Sequence, residues 1–426
     1  MSRTFKNTGT KYIVTNQNML HKLEAAVEDL QMKGNIMLVD GDTAASLDKL
    51  VAMGEEIKED LPKIRIISKT TIAALLSTSG TTGFPKAAQL SHYAIIAMLY
   101  QLQHAVQPCY AAGSVSVVFL PMYHMFGLCV VLSLGLVQGL QHVIMSRFYP
   151  QEYLKNIANK KANLLHVVPP VMALLANHPM VCQYDLSSVE HIVCGAAPLC
   201  PELARKLQNR IGVQCILEGY GMTELGVPFV NTEAHHKLGS VGRKVKLVQS
   251  KIVSVETGKE LGPNIKGEIW IRGPQIFNGY LNNREATDEM MKEDGWARSG
   301  DVGYMDGDGY LFIVDRIKEL IKYKGHQIAP AQLDHILLDH PDIADAAVIG
   351  IKDEEAGEIP KAFIVRKQGT CITESDAQEF LSLRVAPHMK LRGGVEFIDE
   401  IPKSPTGKIL RRELQTKDAF VFPTNP

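Results

Sequence analysis

The amino-acid sequence predicts an α/β protein in which a large parallel sheet with covering helices precedes a small antiparallel barrel or sheet and a compact α+β module. Three observations support this prediction. In the first half, apolar runs of strand length alternate with helix-length segments. Between Ala87 and Ser146 there is no Asp, Glu, Lys or Arg, which fits parallel strands buried on both faces. Beyond about Gly239, short strands are separated by turn residues instead.

The first half of the chain shows the alternation element by element. Strands are predicted at Lys11–Thr15 and Asn35–Val39, with a helix over Met19–Lys33 between them. The same order continues with strand Val115–Leu120, helix Pro150–Asn159, strand Leu164–Val168 and helix Pro201–Ile211. The most apolar stretch, Met125–Val137, has about 13 residues, fewer than the roughly 18 to 20 that cross a bilayer. We therefore expect it to be buried core, and we expect no transmembrane segment.

The region after Gly239 is predicted to form the antiparallel part. Strands are expected at 245–255 and 267–272, followed by a hairpin whose turn reads DGDG at 306–309. Asp306 and Asp308 could suggest a calcium loop, but the next alternate position is Tyr310, so the spacing of such a loop fails and a turn is favoured.

The last part of the chain has the pattern of a separate α+β unit. A helix is predicted from Pro330, two strands follow, and a capping box near Thr373 begins another helix. For 426 residues, roughly two to three domains are expected. We predict an N-terminal domain over 1–315, a hinge at 316–319 and a C-terminal domain over 320–426.

Composition argues against several functional classes. Lys plus Arg number 45 and Asp plus Glu 46, so there is no basic excess for nucleic-acid binding. Seven cysteines without CxxC spacing argue against both a disulfide framework and a zinc site, and they favour a reducing compartment. The chain shows neither a secretory signal nor a C-terminal Ser-Lys-Leu peroxisomal signal, so we expect an intracellular, by default cytoplasmic, protein. No motif bears on the oligomeric state.

A loop rich in small and hydroxylated residues runs from Thr78 to Lys86 and reads TSGTTGFPK. Small residues let backbone N–H groups approach phosphate oxygens, hydroxyl groups add donors, and the lysine adds positive charge. The loop differs from a Walker A motif, because Pro85 and Ala87 flank the lysine. Such a loop can also be a flexible connector, so further motifs are needed to assign it.

Six further segments follow the loop in order, and together they resemble the signature motifs of the adenylate-forming superfamily. This superfamily contains acyl-CoA synthetases, 4-coumarate–CoA ligases, beetle luciferases and peptide-synthetase adenylation domains. The segments are LPMYH at 120–124, CGAAPL at 194–199, GYGMTE at 219–224, GWARSGD at 295–301, VDRIKELIKYKG at 314–325 and PKSPTGK at 402–408. The resemblance is closest to the 4-coumarate–CoA ligase and luciferase-like branch. It implies a large N-terminal domain and a small mobile C-terminal domain.

The resemblance implies an ATP-dependent carboxylic acid–CoA ligase. In such enzymes a carboxylate attacks the α-phosphorus of ATP and releases pyrophosphate, and the CoA thiol then displaces AMP from the acyl-adenylate. This chemistry needs positioning and charge neutralisation, with a carboxylate as a hard ligand for Mg²⁺. The implied triphosphate-binding residues are Thr78, Ser79, Gly80, Thr81 and Thr82, with Lys86 nearby, Thr223 on the α-phosphate and Glu224 on Mg²⁺.

The resemblance also implies contacts to the nucleoside and to the acid. Asp301 matches a carboxylate that accepts hydrogen bonds from both ribose hydroxyls, and Arg316 matches a second nucleotide contact. The adenine is expected to lie against Ala196, Glu218 and Gly219, and His124 is expected to form a wall or gate of the acid pocket. Without the family context, Asp301 would be interpreted as a turn aspartate, Arg316 as a surface charge and His124 as a core histidine.

The C-terminal domain is implied to act in both steps. Lys408 matches a lysine that bridges the attacking carboxylate and the α-phosphate, where negative charge builds up. Rotation about the linker at Lys318 is implied to withdraw Lys408 and to present a second face to the thioester step. That face carries Lys322, Lys324, Gly325 and Gln327. A glycine such as Gly325 lets a pantetheine arm pass close to the backbone.

The sequence departs from the family pattern at a few positions. Ala87 replaces a common Gly, Cys194 a common Ser, Glu218 a common Gln, and His326 a common aromatic residue. None of these changes removes an implied phosphate or metal ligand. Residues 1–10 resemble the middle of a helix that precedes the first strand, so we expect roughly 100 residues of the usual N-terminal part to be missing.

Two alternatives to the ligase remain open from the sequence. One is a luciferase-like monooxygenase that acts through an adenylate, which would require pocket details that motifs do not reveal. The other is a truncated, catalytically silent variant that still binds nucleotide, because a shortened front would expose part of the sheet. The adjacent pair His235–His236 matches no motif role and is expected at the surface.

Overall fold

The structure is a computed structural model that describes residues 2–28, 35–40, 46–55, 63–78, 86–107, 109–197, 199–214, 216–404 and 407–421. Its first segment contains a two-stranded parallel sheet with accompanying helices. The elements are α1 Ser2–Thr8, β1 Ile13–Thr15, α2 Gln17–Val27, β2 Ile36–Leu38 and α3 Leu47–Glu55. Leu23 and Val27 of α2 pack against the apolar side chains of both strands. The strands and helix predicted here are confirmed, although 29–33 of the predicted helix lie outside the described residues.

An antiparallel hairpin follows, with β3 at Ile72–Thr78 and β4 at Lys86–Ser91. Helix α4, His92–Ala105, begins directly after β4 because the side chain of Ser91 accepts a hydrogen bond from the backbone N–H of Ala94 at 3.2 Å. The other side of β4 pairs with segment 278–281, through hydrogen bonds such as Gln89 N–H to Gly279 O at 3.0 Å. Sequence analysis missed β4, because its short run lacks a clear alternation.

A seven-stranded sheet forms the centre of the molecule, in the order β11-β10-β9-β8-β7-β5-β6. Its strands are β5 Val115–Val118, β6 Gln141–Ile144, β7 Leu164–Val167, β8 His191–Cys194, β9 Ile216–Met222, β10 Gly226–Val230 and β11 Arg243–Lys244. Strands β5 to β9 pair with one another in parallel. Strands β10 and β11 are added antiparallel at the β9 edge. The associated helices are α5 Leu134–Gln138, α6 Pro150–Lys160, α7 Pro169–Asn177 and α8 Pro201–Ile211. The predicted α/β class is confirmed, and proline at the first turn begins α6, α7 and α8.

The charge-free stretch is more varied than predicted. Only β5 and β6 are parallel strands within it, and the rest is β4, α4 and a helical segment. The apolar part is a π-helical segment, Phe126–Ser133, that continues into α5. Val131 and Leu134 are fully buried, as expected for core, whereas Leu136 and Val137 are exposed. Among the described residues, no helix is long and apolar enough to cross a membrane.

The second sheet has five antiparallel strands in the order β13-β12-β14-β15-β16. Its elements are β12 Gln249–Val253, β13 Glu260–Leu261, β14 Gly267–Arg272, α9 Arg284–Met290, β15 Ala297–Met305 and β16 Leu311–Arg316. The predicted turn at 306–309 is confirmed, because Asp306 Oδ1 accepts the backbone N–H groups of Asp308 and Tyr310. The ion pair of Asp306 with Lys237 occupies the same carboxylate, so the calcium interpretation stays excluded.

The last part of the chain forms another antiparallel sheet, β18-β17-β20-β19, with β21 added parallel to β20. Its elements are β17 Ile321–Tyr323, β18 His326–Ile328, α10 Pro330–Leu338, β19 Ile343–Asp353, β20 Gly357–Arg366, α11 Glu374–Ser382, β21 Val395–Phe397 and α12 Arg411–Val421. The predicted capping box at Thr373 is confirmed, with Asp376 as its partner. This part has its own apolar cluster, separate from the core around the seven-stranded sheet.

Candidate active site

A cleft opens where hairpin β3–β4, the turn after β9 and strands β15–β16 approach one another. Six residues that the sequence analysis selected line it, namely Thr78, Lys86, Glu224, Asp301, Arg316 and Lys318. These residues come from distant parts of the chain, and only the fold brings them to one space. The cleft is therefore the candidate active site, and the roles of its residues remain predictions.

The phosphate-binding loop enters the cleft from the hairpin. Thr78, the last residue of β3, pairs in register with Lys86, the first residue of β4. Both ends of the loop therefore face the cleft. The four positions predicted between them lie outside the described residues, namely Ser79, Gly80, Thr81 and Thr82.

A tyrosine connects two of the predicted residues. The hydroxyl of Tyr280 donates a hydrogen bond to Glu224 Oε1 at 2.7 Å, and Lys86 Nζ lies 5.0 Å from the centroid of its ring. Glu224 is buried, and among the described residues no basic side chain forms an ion pair with it. Burial and the negative charge of Glu224 both raise the pKa of Tyr280, so this hydroxyl keeps its proton and remains a donor.

A second cluster surrounds Asp301. The antiparallel register places Asp301 of β15 opposite Arg316 of β16, and Arg316 Nε lies 3.6 Å from Asp301 Oδ1. The hydroxyl of Tyr220 donates to Asp301 Oδ2 at 2.7 Å. Burial raises the pKa of Asp301, while the Arg316 guanidinium opposes this shift. The carboxylate is held on two sides, in an orientation set by two strands.

Lys408 reaches this cluster from the C-terminal part. Its ammonium is close enough to Asp301 and Arg316 for their charges to affect its protonation. Burial, with the positive charge of Arg316, lowers the pKa of Lys408 to about 8, although Glu319 and Asp301 oppose the shift. The preceding residue, Gly407, has φ of 79°, and a Cβ there would lie 2.9 Å from the Pro170 ring, so only glycine permits this approach to α7.

Charged side chains fix the segment between the two parts of the chain. Arg411 Nε lies 3.1 Å from Glu319 Oε2, and its NH2 group lies 2.7 Å from Asp334. Asp315 Oδ2 accepts the backbone N–H of Ala331 at the start of α10. In this arrangement, the predicted hinge at 316–319 is held at its start by the contact of Asp315 with Ala331 and at its end by the ion pair of Glu319 with Arg411.

The predicted adenine contacts lie just after the end of β8 and in the middle of β9. Glu218 pairs in register with Cys194, and Ala196 follows in a left-handed conformation with φ of 72°. Burial raises the pKa of Glu218 to about 8, while the backbone N–H of Leu199 opposes the shift. At neutral pH most of this carboxyl is protonated, so it has one donor and one acceptor, like glutamine. Gly219 follows it in β9.

Thr223 and His124 are two of the predicted residues that do not line the cleft. Thr223 lines a small neighbouring cavity with Met98 and Met125. His124, directly before Met125, is half-buried, and its Nδ1 accepts the backbone N–H of Phe126 at 3.2 Å. Burial lowers the pKa of His124, so the ring is neutral at physiological pH.

Four predicted residues lie away from the cleft, on the hairpin formed by β17 and β18. They are Lys322, Lys324, Gly325 and Gln327, and all four are exposed. Lys324 and Gly325 form the turn, with φ of 44° and 82°. The space around Gly325 is open, since a Cβ added there would meet no atom within 4 Å.

Tyr220 and Tyr280, whose hydroxyl groups donate to Asp301 and Glu224, were not predicted from the sequence. Tyr220 lies inside the GYGMTE segment, where its strand position next to Gly219 was a usable signal. Tyr280 belongs to no motif, and only the pairing of segment 278–281 with β4 brings it to Lys86. Glu289 on α9 was also missed, and its Oε1 lies 3.9 Å from Lys318 Nζ.

Comparisons with known proteins identify the family of the chain. The family model of the AMP-binding enzyme matches residues 1–281, and that of the AMP-binding enzyme C-terminal domain matches residues 332–408. The chain is 39% identical to 4-coumarate–CoA ligase 2 of Nicotiana tabacum, over 98% of this chain and 78% of that protein. It is 36% identical to peroxisomal OPC-8:0-CoA ligase 1 of Arabidopsis thaliana, over 97% of this chain and 76% of that protein.

Solved structures show the same fold. ATP-bound MatB from Rhodopseudomonas palustris matches with a TM-score of 0.88 at 26% identity, over 99% of this chain and 81% of that chain. The anthranilate CoA ligase AuaEII in complex with anthranoyl-AMP matches in fold with a TM-score of 0.86 at 23% identity, over 99% and 80% of the two chains. The chain belongs to the AMP-binding enzyme family, as an ATP-dependent acid–CoA ligase that works through an acyl-adenylate.

Proposed function

We propose that this chain joins an apolar carboxylic acid, of aromatic or fatty type, to CoA, and that the cleft around Asp301 and Lys408 is where the adenylate forms. The observation that carries the proposal is convergence: Lys86, Glu224 and Asp301 line one cleft, and Lys408 approaches it from the C-terminal part. A cleft with cationic groups at two ends suits a triphosphate and a carboxylate that must react with each other.

In the first step a carboxylate oxygen of the acid attacks the α-phosphorus of ATP, and pyrophosphate leaves. Lys408 is the group that stabilises the charge on the attacking and α-phosphate oxygens. Lys86 neutralises the outgoing phosphates, and Asp301 accepts hydrogen bonds from the ribose. Because the pKa of Lys408 is about 8, most of this ammonium is charged at neutral pH.

Glu224 is proposed to hold Mg²⁺. Its buried carboxylate accepts a hydrogen bond from the neutral Tyr280 hydroxyl, and no basic side chain of the described residues pairs with it, so a hard cation fits its charge. Mg²⁺ is commonly held by one or two carboxylates together with substrate phosphates, and it would reduce the negative charge of the triphosphate when bound.

In the second step the CoA thiol attacks the acyl carbonyl carbon, and AMP leaves with the bonding electrons of the acyl–oxygen bond. The C-terminal domain is proposed to rotate about 316–319, which removes Lys408 and places Lys322, Lys324, Gly325 and Gln327 at the cleft. Their exposure on hairpin β17–β18 supports this role, because they are accessible for a second arrangement.

The cavity that Thr223 lines is too small to hold an acid in this arrangement, but its walls show the kind of surface that an opened acid pocket would present. Its other lining residues are Leu90, Ala94, Ile95, Met98, Met125, Gly226 and Gln275, which present mainly apolar surface. His124 directly precedes Met125, which lines this cavity. Burial lowers the pKa of His124, so its ring is neutral. Relatives named for 4-coumarate place hydroxycinnamic acids first among the acids to test.

The test is incubation of the purified chain with ATP, Mg²⁺, CoA and a panel of aromatic and fatty acids, with AMP and acyl-CoA measured separately. We expect equal amounts of both products with at least one acid. ATP binding without turnover for every acid would overturn the proposal in favour of a silent nucleotide-binding variant. Light emission with luciferin and oxygen would favour the luciferase-like alternative.

The role of Glu224 is tested by a titration of Mg²⁺. Glu224→Gln keeps an acceptor for Tyr280 but removes the charge, so the concentration of Mg²⁺ that gives half-maximal AMP release should rise about tenfold or more. The matched control is Glu285→Gln, on the exposed face of α9 and outside the cleft lining. An unchanged requirement in Glu224→Gln would contradict the metal assignment.

A further inference from the structure

Three possible metal ligands lie together at the end of the seven-stranded sheet where its parallel strands begin, opposite the cleft. Cys109 precedes β5, His191 is the first residue of β8, and Glu233 follows β10. One potential ligand atom from each lies within 4.8 Å of the other two. The cleft instead lies beyond the carboxyl ends of β8 and β9, so this group is separate from the active site.

The distances within the group are close to those of ligands around one metal ion. Cys109 Sγ lies 3.6 Å and His191 Nδ1 2.9 Å from Glu233 Oε1. Ligands of a tetrahedral zinc ion lie about 3.3 to 3.6 Å apart, given bond lengths of about 2.0 to 2.3 Å. Cys109 Sγ and Glu233 Oε1 are already at about this separation, His191 Nδ1 and Glu233 Oε1 need to separate by about half an ångström, and the Cys109–His191 pair lies within 4.8 Å.

The surroundings of His191 favour a fixed ligand. The backbone N–H groups of Glu190 and His191 both donate to Asn163 O at 2.9 Å, which holds the start of β8. The second ring nitrogen, Nε2, lies 3.9 Å from Glu190 Oε2. This separation is longer than a hydrogen bond, so Glu190 places negative charge near the ring without fixing its tautomer, and the 2.9 Å contact with Glu233 shows that Nδ1 is the ring nitrogen facing the other two groups.

Burial differs among the ligands in a way that suits a small ion. Cys109 is 2% exposed, whereas the side chains of His191 and Glu233 are 18% and 35% exposed. The site is thus closed on the sulfur side and open to solvent on the carboxylate side. An ion could enter from solvent and keep one water molecule as its fourth ligand.

We propose that Cys109, His191 and Glu233 bind a zinc-class divalent cation, with Cys109 Sγ, His191 Nδ1 and Glu233 Oε1 as protein ligands and water in the fourth position. As the metal bonds form, the thiol proton of Cys109 passes to solvent, the proton between His191 Nδ1 and Glu233 Oε1 moves to solvent or to Nε2, and the ion loses hydration water. Thiolate and imidazole select zinc or cobalt over Mg²⁺, which prefers oxygen ligands. The ordinary alternative is an ion pair between His191 and Glu233 with Cys109 as its neighbour, and the two differ in whether the sulfur binds metal.

The site would link three segments that are distant in sequence. A cation that binds only the folded chain stabilises it, and the absence of CxxC spacing does not exclude such a site. The spacing rule detects ligands that lie close in sequence, whereas here the strand order brings together residues 109, 191 and 233.

The test uses Co²⁺ as a spectroscopic probe, added to the purified full chain after removal of bound metal with a chelator. Wild type should show a thiolate-to-cobalt charge-transfer band at one equivalent of Co²⁺, and Zn²⁺ should abolish the band by displacement. Cys109→Ser should lack the band, and Cys371→Ser, which removes an exposed cysteine elsewhere, should keep it. The absence of the band in wild type, or its persistence in Cys109→Ser, would overturn the proposal.

Further measurements distinguish loss of the metal site from loss of the fold. Cooperative thermal unfolding of Cys109→Ser in the absence of metal would show that the variant is folded. Glu190→Gln leaves all three ligands in place, so it should reduce Zn²⁺ binding far less than Cys109→Ser does. Added Zn²⁺ should raise the unfolding temperature of wild type and Cys371→Ser, and an equal rise in Cys109→Ser would contradict the site.

Discussion

Lys408 and the hairpin β17–β18 belong to the same C-terminal part but have opposite environments. Lys408 is partly buried beside Asp301 and Arg316, and its burial lowers its pKa to about 8. Lys322, Lys324 and Gly325 are exposed and face away from the cleft. One rigid arrangement cannot place both sets at the same acyl group, so under the proposed roles this structure corresponds to the adenylate-forming step.

The contacts that hold this arrangement are local. Gly407 fits against Pro170, and Arg411 joins Glu319 and Asp334. Arg411 and both its carboxylate partners lie within or at the start of the C-terminal part, so those ion pairs can remain in the proposed rotation. The approach of Gly407 to α7 must be lost in any rotation. Substitutions at Lys408 or on hairpin β17–β18 should therefore affect adenylate formation and thioester formation separately.

The largest expected effect is that of Lys408→Ala on adenylate formation. Loss of a preorganised cationic donor at a charged transition state reduces the rate about 100- to 1,000-fold. Exchange of labelled pyrophosphate into ATP measures this step, and transfer of a supplied acyl-adenylate to CoA measures the second, which should change little. The matched control is Lys390→Ala, an exposed lysine of the same domain. Equal losses in both steps would mean that the two environments are not functionally separate.

Gly325→Leu is expected to show the opposite pattern. The side chain would occupy the path of the pantetheine arm, so thioester formation should fall about 100-fold while pyrophosphate exchange is retained. Gly369→Leu is the control, because Gly369 has the same φ of 82° and equally open space in the same domain. Any loss shared by the two variants reflects backbone strain rather than the hairpin's role.

The pH dependence of the first step provides a smaller effect. Only the charged form of Lys408 can stabilise the α-phosphate oxygens, and its pKa is about 8. The rate of pyrophosphate exchange should therefore fall about tenfold per pH unit above about pH 8. Lys408→Arg keeps its charge throughout this range and should show no such decline, whatever its absolute rate. A decline that persists in the arginine variant would assign the titration to another group.

Much of the fold was predictable from sequence because its signals are local. Proline at a helix start, the Thr373 capping box and the 306–309 turn each act over a few residues, and each is confirmed. Strand β4 and the π-helical segment were not predicted, because neither has a period that distinguishes it. The pairing of β4 with segment 278–281 depends on contacts between distant residues.

The candidate site also contains some residues that sequence motifs predict and others that they do not. Asp301 and Arg316 belong to motifs, and antiparallel pairing explains why residues fifteen positions apart meet. Tyr280 could not be selected, since its contact with Glu224 exists only after the sheet edge forms. The lowered pKa of Lys408 likewise comes from burial between two parts of the chain, and no sequence pattern encodes it locally.

The smallest expected effect concerns Glu218, where burial acts on a carboxyl instead of an amine. Its pKa is raised from 4.5 to about 8 in the folded chain. Between about pH 5 and 7, the Glu218 carboxyl is ionised in the unfolded chain and protonated in the folded chain. As the pH rises through this range, this group therefore lowers the free energy of unfolding of the wild type by about 1 kcal/mol per pH unit. Glu218→Gln cannot release a proton and keeps one donor and one acceptor, so its advantage over wild type should grow across this range.

Urea unfolding at several pH values measures that difference. Glu268→Gln is a useful comparison, because Glu268 is also buried but is paired with Arg298 at 2.9 Å, and it should instead lose stability at neutral pH. A constant difference between Glu218→Gln and wild type would mean that Glu218 is ionised in the folded chain. In that case the residue would present only acceptors to the adenine, and its similarity to glutamine at this position would not hold.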